Sequence, residues 1–221
     1  MTSTVAVMAK VPGAVAVKSR LRSVLDAGQA TELYRCFLLD RLDAVAALPD
    51  IAPVVAFTPP EAREALAPMV PPAFRLIAQR GDDLSERLAT LLGGFLAEGH
   101  SGAIALDSDS PTLPMAYVSE AARVLAGAEA DLVLGPSDDG GYYLVGVSHP
   151  LPALFEGIPW STPTVLAVTL ERARTHGLSV HLLPAWFDVD TEDDLRRLHR
   201  EMTAGGLRPL RTYAFVTALL A

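Results

Sequence analysis

The residues best suited to chemistry lie in Ile104-Ala105-Leu106-Asp107-Ser108-Asp109-Ser110-Pro111, where an apolar run leads straight into two carboxylates and a proline ends the extended segment. A strand delivers such acids to its C-terminal end, where open α/β sheets hold their ligands. On a regular strand Asp107 and Asp109 share a face. Oxygen ligands of this kind suit Mg2+ or Mn2+ bridging to a substrate's phosphates. The same composition also makes a solvated Asp/Ser turn. A second pair, Asp188 and Asp190, stands just before a helix and could complete an oxygen-ligand site with the first. Helix capping and dipole complementarity are the rival explanation, and they suit Asp193 and Asp194 better than Asp188. A third group is basic. Lys10, Lys18, Arg20 and Arg22 cluster in a Pro/Gly-broken loop after the first apolar run, a place suited to phosphates. Only Lys10 and Lys18 among 18 basic residues are lysine, and both fall in this loop. Solvated surface charge is the alternative.

These groups need strands and helices to position them. Thr4 to Met8 reads as a buried first strand, and Gln29 to Ala47 as a helix with a core face. Strands are expected at Ile51 to Phe57, Phe74 to Ala78, Gly102 to Leu106, Asp131 to Gly135, Tyr142 to Val147 and Ser179 to Leu183. Helices are expected near Glu61 to Ala67 and at Leu84 to Ala97, Met115 to Ala126, Thr164 to Thr175 and Thr191 to Met202. Asp82 or Asp83 caps the Leu84 helix, placing Arg87 in its first turn. The dipole disfavours a cation there, which fits a ligand role for Arg87 as well as a plain surface position. Thr162 reads as a cap with Pro163 as first helical residue, so free N–H groups near Ser161 and Thr162 could hold an anion. Trp160 is placed to stack on a ring or simply to pack. Gly140 and Gly141 make a tight turn that lets a ligand approach the backbone, or merely a hairpin turn. That turn is too short for a parallel crossover, so one antiparallel or sheet-switching strand is expected beside it. Strand–helix alternation elsewhere implies α/β architecture: a three-layer sandwich, its central sheet mostly parallel with helices on both faces. The carriers of chemistry then fall on one rim.

Composition narrows the function. With 221 residues, half hydrophobic, and no dividing linker, one domain spanning 1–221 is expected. A net charge of −8 without a basic run argues against nucleic acid as a partner. No apolar run reaches transmembrane length, and Met1 to Ala9 lacks the pattern of a signal peptide. Cys36 stands alone, so no intramolecular disulfide forms, and a cytoplasmic location is expected. The five histidines show no metal-ligand spacing. The chain's end, AFVTALLA, could cover the core or a second subunit, so an oligomer is one option.

The segments AKVPGAVAVKSRL, QRGDDLSERL, LDSDSP, GPSDDGGYYLVGV, PWSTPTVL and DVDTEDDL resemble the bacterial GT-A-like glycosyltransferases of the radical-SAM-associated type. The resemblance runs from Val5 to about Leu198. KSRL is also similar to 2-phospholactate guanylyltransferases, which lack the GGYYL strand. The resemblance implies a nucleotide-diphospho-sugar transferase fold and a divalent metal, Mg2+ or Mn2+. It implies that Asp109 is a metal ligand with Asp188 and Asp190 near it, and that Lys10, Lys18 and Arg20 form the nucleotide loop. Asp139, Gly140, Gly141, Ser161 and Thr162 match the acceptor side, with Asp139 a candidate general base. This chain departs from the pattern at several positions. Val15 stands at a glycine of the basic loop, Ser19 at a threonine, and Arg80 and Ser85 at glycines. Asp107 stands where glycine is common and adds a carboxylate to the metal set. Three activities follow as expectations. The first is glycosyl transfer from a nucleotide sugar to a small acceptor. The second is nucleotidyl transfer from a nucleoside triphosphate to a phosphorylated molecule. The third, motivated by Val15, is nucleotide binding without catalysis.

Overall fold

The computed structural model describes residues 2–220. Met1, the first residue of the segment expected to lack a signal-peptide pattern, and Ala221, the last residue of the apolar C-terminal stretch, lie outside the described residues.

The chain runs β1 (Ser3–Lys10), α1 (Ala27–Ala46), β2 (Ile51–Thr58), α2 (Arg63–Leu66), β3 (Arg75–Ala78), α3 (Leu84–Ala97) and β4 (Ala103–Leu106). It continues through α4 (Met115–Ala126), β5 (Leu132–Pro136), β6 (Tyr142–Val147), α5 (Pro152–Phe155), α6 (Val165–Thr175), β7 (Val180–Leu182), α7 (Glu192–Thr203) and α8 (Leu210–Leu220). Among the described residues one seven-stranded sheet forms, in the order β3-β2-β1-β4-β6-β5-β7. β6 runs antiparallel to β4 and β5, and every other pairing is parallel. The cause is the short Ser137–Gly141 turn, where Ser137 N–H donates to Gly141 O at 3.0 Å and leaves no room for a crossover.

Period-two alternation splits the strands between two cores. Val5, Val7, Ile104 and Leu106 pack under α1 and α4, while Ala6, Ala103 and Ala105 face α3, α5 and α6. This is the expected three-layer arrangement. A third cluster lies off the sheet, where Leu33 and Phe37 of α1 meet Leu195 and Leu198 of α7 and Val216 of α8. The apolar C-terminal stretch therefore packs within the chain. Asp40 of α1 fixes it, accepting from the N–H groups of Arg211 and Thr212 at the start of α8, at 3.2 and 2.8 Å. No helix among the described residues is long and apolar enough to cross a membrane.

Most expected elements form where the periodicity puts them. The helix near Glu61 forms instead as consecutive single turns, Pro60–Ala62, Arg63–Leu66 and Ala67–Met69, and Pro68, lacking an N–H, cannot extend the α-helical ladder. α6 also starts later than expected. Thr164, not Thr162, is its cap, and Thr162 Oγ1 donates to Pro159 O at 2.7 Å. The first N–H groups of α6 are not free for an anion. Val165 N–H donates to Thr162 O, and Leu166 N–H to Gly140 O at 2.9 Å.

Candidate active site

The parallel register brings β1, β2 and β4 to one rim. Lys10 pairs with Thr58 at the ends of β1 and β2, and Asp107 follows Leu106 at the end of β4, its N–H donating to Tyr143 O at 2.8 Å. The chain bends after Leu106, so the two acids diverge instead of sharing a face. Asp107 turns toward the α1 side, where Ser110 Oγ donates to its Oδ2 at 2.6 Å and Arg41 stands 3.7 Å from its Oδ1. Arg41, only 2% exposed, also donates to Ser110 O. Burial pushes the Asp107 carboxyl up to about 6 despite Arg41. Asp109 turns into the cleft.

Asp188 and Asp190 reach the same cleft by a simple device. They flank Val189 in an extended segment; Val189 is fully buried in the third cluster, so its neighbours point the other way. Val189 N–H donates to Asp109 O at 3.0 Å, joining the two acid segments through their backbones. Thr191 and Asp194 form the capping box that starts α7 immediately afterwards.

Lys18 completes the centre. Its Nζ lies 2.5 Å from Asp109 Oδ1 and 3.0 Å from Asp190 Oδ1, with its side chain 3% exposed. The Phe37 ring lies beside it, 5.6 Å from Nζ to the centroid. Its backbone is left-handed, φ 47°, unusual for a long side chain. Burial opposes the ammonium charge, but Asp109 and Asp190 outweigh it and hold Lys18 above the ordinary lysine range. Burial likewise opposes ionisation of Asp190, and Lys18 foremost, then Arg20, holds its carboxyl below the usual range. Arg20 is the outer member, 3.5 Å from Asp190 Oδ2 and largely exposed.

Two cavities open on this centre. One, about 530 Å3, is lined by Lys10, Lys18, Arg87, Thr58, Gln79 and Asp190. The other, about 400 Å3, is lined by Asp107, Asp139, Asp188, Tyr142, Gly141 and Thr162. Asp109, Lys10, Trp160 and Ser161 border both. In the second cavity, burial and the charges of Asp139 and Asp190 push Asp188 up to about 7. Asp139 Oδ1 accepts from Gly141 N–H at 2.8 Å. Arg87 Nε donates to Gly81 O at 3.0 Å at the edge of the first cavity.

Gly140 lines neither cavity. Its φ is +89°, and an added Cβ would lie 2.1 Å from Pro163 O, so glycine serves the turn's fit against the segment before α6. Val15 lines neither as well. The basic loop turns at Gly13, φ +85°, with Ala14 N–H donating to Val11 O at 3.1 Å.

Other site residues left weaker traces in the sequence. Tyr34 of α1 receives Lys10 N–H at 2.9 Å and meets Ser108 Oγ at 3.0 Å, while Ser108 Oγ donates to Met8 O at 2.9 Å. This chain holds the ends of β1 and β4 together. Arg41 could have been found: it lies four residues after Phe37 and three after Leu38, on a face that is otherwise apolar. Ser85, a departure from the family pattern, donates to Phe155 O at 2.5 Å and receives Trp160 Nε1–H at 2.8 Å. It thereby fixes the indole between the cavities.

Residues 41–162 match the bacterial family described as "uncharacterized protein conserved in bacteria (DUF2064)". The chain belongs to the DUF2064 family. A crystal structure from Desulfovibrio desulfuricans G20, provisionally described as a nucleotide-diphospho-sugar transferase, shares 32% identity with this DUF2064 protein. The match covers 100% of this chain and 97% of the other, with a TM-score of 0.92. A CMP-2-keto-3-deoxy-manno-octonic acid synthetase in complex with CTP matches at TM-score 0.58 and 14% identity, over 92% of this chain and 99% of the other. A 4-diphosphocytidyl-2C-methyl-D-erythritol synthase from Anaerococcus prevotii DSM 20548 matches at 0.58 and 10%, over 91% and 96%. At these identities the last two show the fold alone. No curated protein matches the DUF2064 chain in sequence.

Among the described residues no three His, Cys, Asp or Glu side chains form a metal-ligand group. The donor chemistry nevertheless fits a hard cation. Asp109 and Asp190 both contact the Lys18 ammonium, which brings two carboxylate oxygens to one point of the cleft. A site of two carboxylates, completed by phosphate oxygens, is the ordinary way proteins hold Mg2+.

Proposed function

We propose that this protein transfers a glycosyl group from a nucleotide sugar to a small neutral acceptor. The observation that carries the reading is the charge difference between the cavities. The larger offers Lys10, Lys18 and Arg87 to a diphosphate, with Arg20 nearby. The smaller is lined by Asp107, Asp109, Asp139 and Asp188, with Lys10 its one basic lining residue. A phosphorylated acceptor would lie against carboxylates there, which disfavours nucleotidyl transfer to such a molecule. Hydroxyls suit the same wall, since carboxylates accept their hydrogen bonds.

In this reading the acceptor oxygen bonds to the anomeric carbon as the carbon–oxygen bond to the diphosphate breaks. Asp139 takes the acceptor's proton, and the nucleoside diphosphate leaves. Lys10 and Lys18 hold the leaving phosphates, and Trp160 walls the sugar between the two cavities. A divalent cation, Mg2+ or Mn2+, held by Asp109 and Asp190 with Asp188 beside them, supplies charge neutralisation at the diphosphate when bound. Asp107 stands beside Asp109 at the cavity wall, where Ser110 Oγ donates to its Oδ2 and Arg41 lies 3.7 Å from its Oδ1.

Nucleotidyl transfer remains the second reading because the basic loop after β1 would equally hold a triphosphate. A panel of nucleotide sugars and nucleoside triphosphates, each with Mg2+ or Mn2+, separates the two. Release of nucleoside diphosphate from a nucleotide sugar supports glycosyl transfer. Release of pyrophosphate from a triphosphate, with no turnover of any nucleotide sugar, overturns it.

A further inference from the structure

We propose that Lys18 is a built-in occupant of the cation seat, so that the protein takes up a divalent metal only together with a phosphate-bearing ligand. The proposal rests on the reading that Asp109 and Asp190 hold that metal. Three observations support it. The ammonium contacts both carboxylates, at 2.5 and 3.0 Å, so its charge already satisfies the oxygens a metal would need. The side chain is 3% exposed and backed by Phe37, so the ammonium has little water to retreat into. The left-handed backbone of Lys18 begins the single turn Ser19–Ser23, whose Leu21 is fully buried, so the residue is aimed by its surroundings.

Two cations cannot share one pair of carboxylates at close range without strong repulsion. A metal therefore has to displace Lys18, and the ammonium needs another anion as partner. The larger cavity, which Lys18 also lines, is where phosphates would provide it. Lys18 then exchanges two carboxylates for phosphate oxygens while the metal takes its former place. The nucleotide and the metal become thermodynamically linked through one side chain, each raising the affinity of the other.

The scarcity of lysine makes this directly observable. Protein labelled with 15N at lysine Nζ has two side-chain signals, from Lys10 and Lys18. With Mn2+ alone, the Lys18 signal is expected to stay sharp at concentrations that broaden it once inorganic pyrophosphate is added. In parallel, calorimetric titration with Mn2+ alone is expected to show Lys18→Met binding at least tenfold more tightly than the natural protein. Equal Mn2+ affinity of a folded variant and the natural protein, or broadening of the Lys18 signal by Mn2+ alone, overturns the proposal. If the variant does not fold, the labelled natural protein decides the matter. Absence of Mn2+ binding under every condition removes the cation seat itself, and with it the metal in the proposed function. Lack of turnover with any nucleotide sugar leaves the Lys18 result standing.

Discussion

The two cavities share Asp109, Lys10 and Trp160, yet they manage charge in opposite ways. On the larger side the cation and anion are matched: Lys18 between Asp109 and Asp190, with Arg20 outside. On the smaller side Asp139 and Asp188 have no ion-pair partner among the described residues, and burial, then the charges of Asp139 and Asp190, drives Asp188 upward. A matched centre is a place where partners can be exchanged. An unmatched one is a place where a hydroxyl or proton is received. In the proposed function, one fold rim then provides a grip and a reaction face a few residues apart.

The contrast can be attacked at several depths. The largest effect is expected behind the smaller cavity. Arg41→Met removes a fully buried guanidinium that serves half-buried Asp107 and Ser110 O, and should cost about 3–5 kcal/mol of stability, measured by urea unfolding. At the shared border, Asp109→Asn keeps the shape but removes the charge, and turnover should fall about 10^2–10^3-fold. Asp139→Asn keeps an oxygen for Gly141 N–H, so the turn survives. Its kcat should fall about 10^2-fold with nucleotide affinity unchanged, as isotope-labelled substrate and calorimetry would show. An equal loss of nucleotide affinity would break the division between the two sides. Ser85→Ala releases Trp160 and should raise KM for both substrates by about tenfold or less, because one hydrogen bond contributes roughly 1 kcal/mol. The smallest effect is expected for Arg20→Gln. Its ion pair is exposed, worth about 0–1 kcal/mol, and salt should weaken it further in the same KM measurement.

Sequence reading reached much of this arrangement, for identifiable reasons. α3, α4 and β6 begin and end where apolar spacing and their flanking breakers put them. The short turn before β6 called for an antiparallel or sheet-switching strand, and β6 is the antiparallel one. Both acid segments and the lysine loop were visible because Pro, Gly and Asp mark the ends of the strands that carry them. Long-range partners were not visible. Nothing local tells Asp40 to cap α8, whose N–H groups lie 171 and 172 residues away. The divergence of Asp107 from Asp109 depends on Arg41, and the aim of Trp160 depends on Ser85, 75 residues earlier. That Lys18 would lie between two acids required the third apolar cluster to place Val189, which no spacing rule anticipates.

The joint between Val189 and Asp109 has a consequence for how such a site changes over generations. It is made by an amide proton and a carbonyl oxygen, which every residue except proline can provide at position 189. Substitutions can therefore alter the acids on either side, and with them the reaction, while the scaffold continues to bring those two positions face to face.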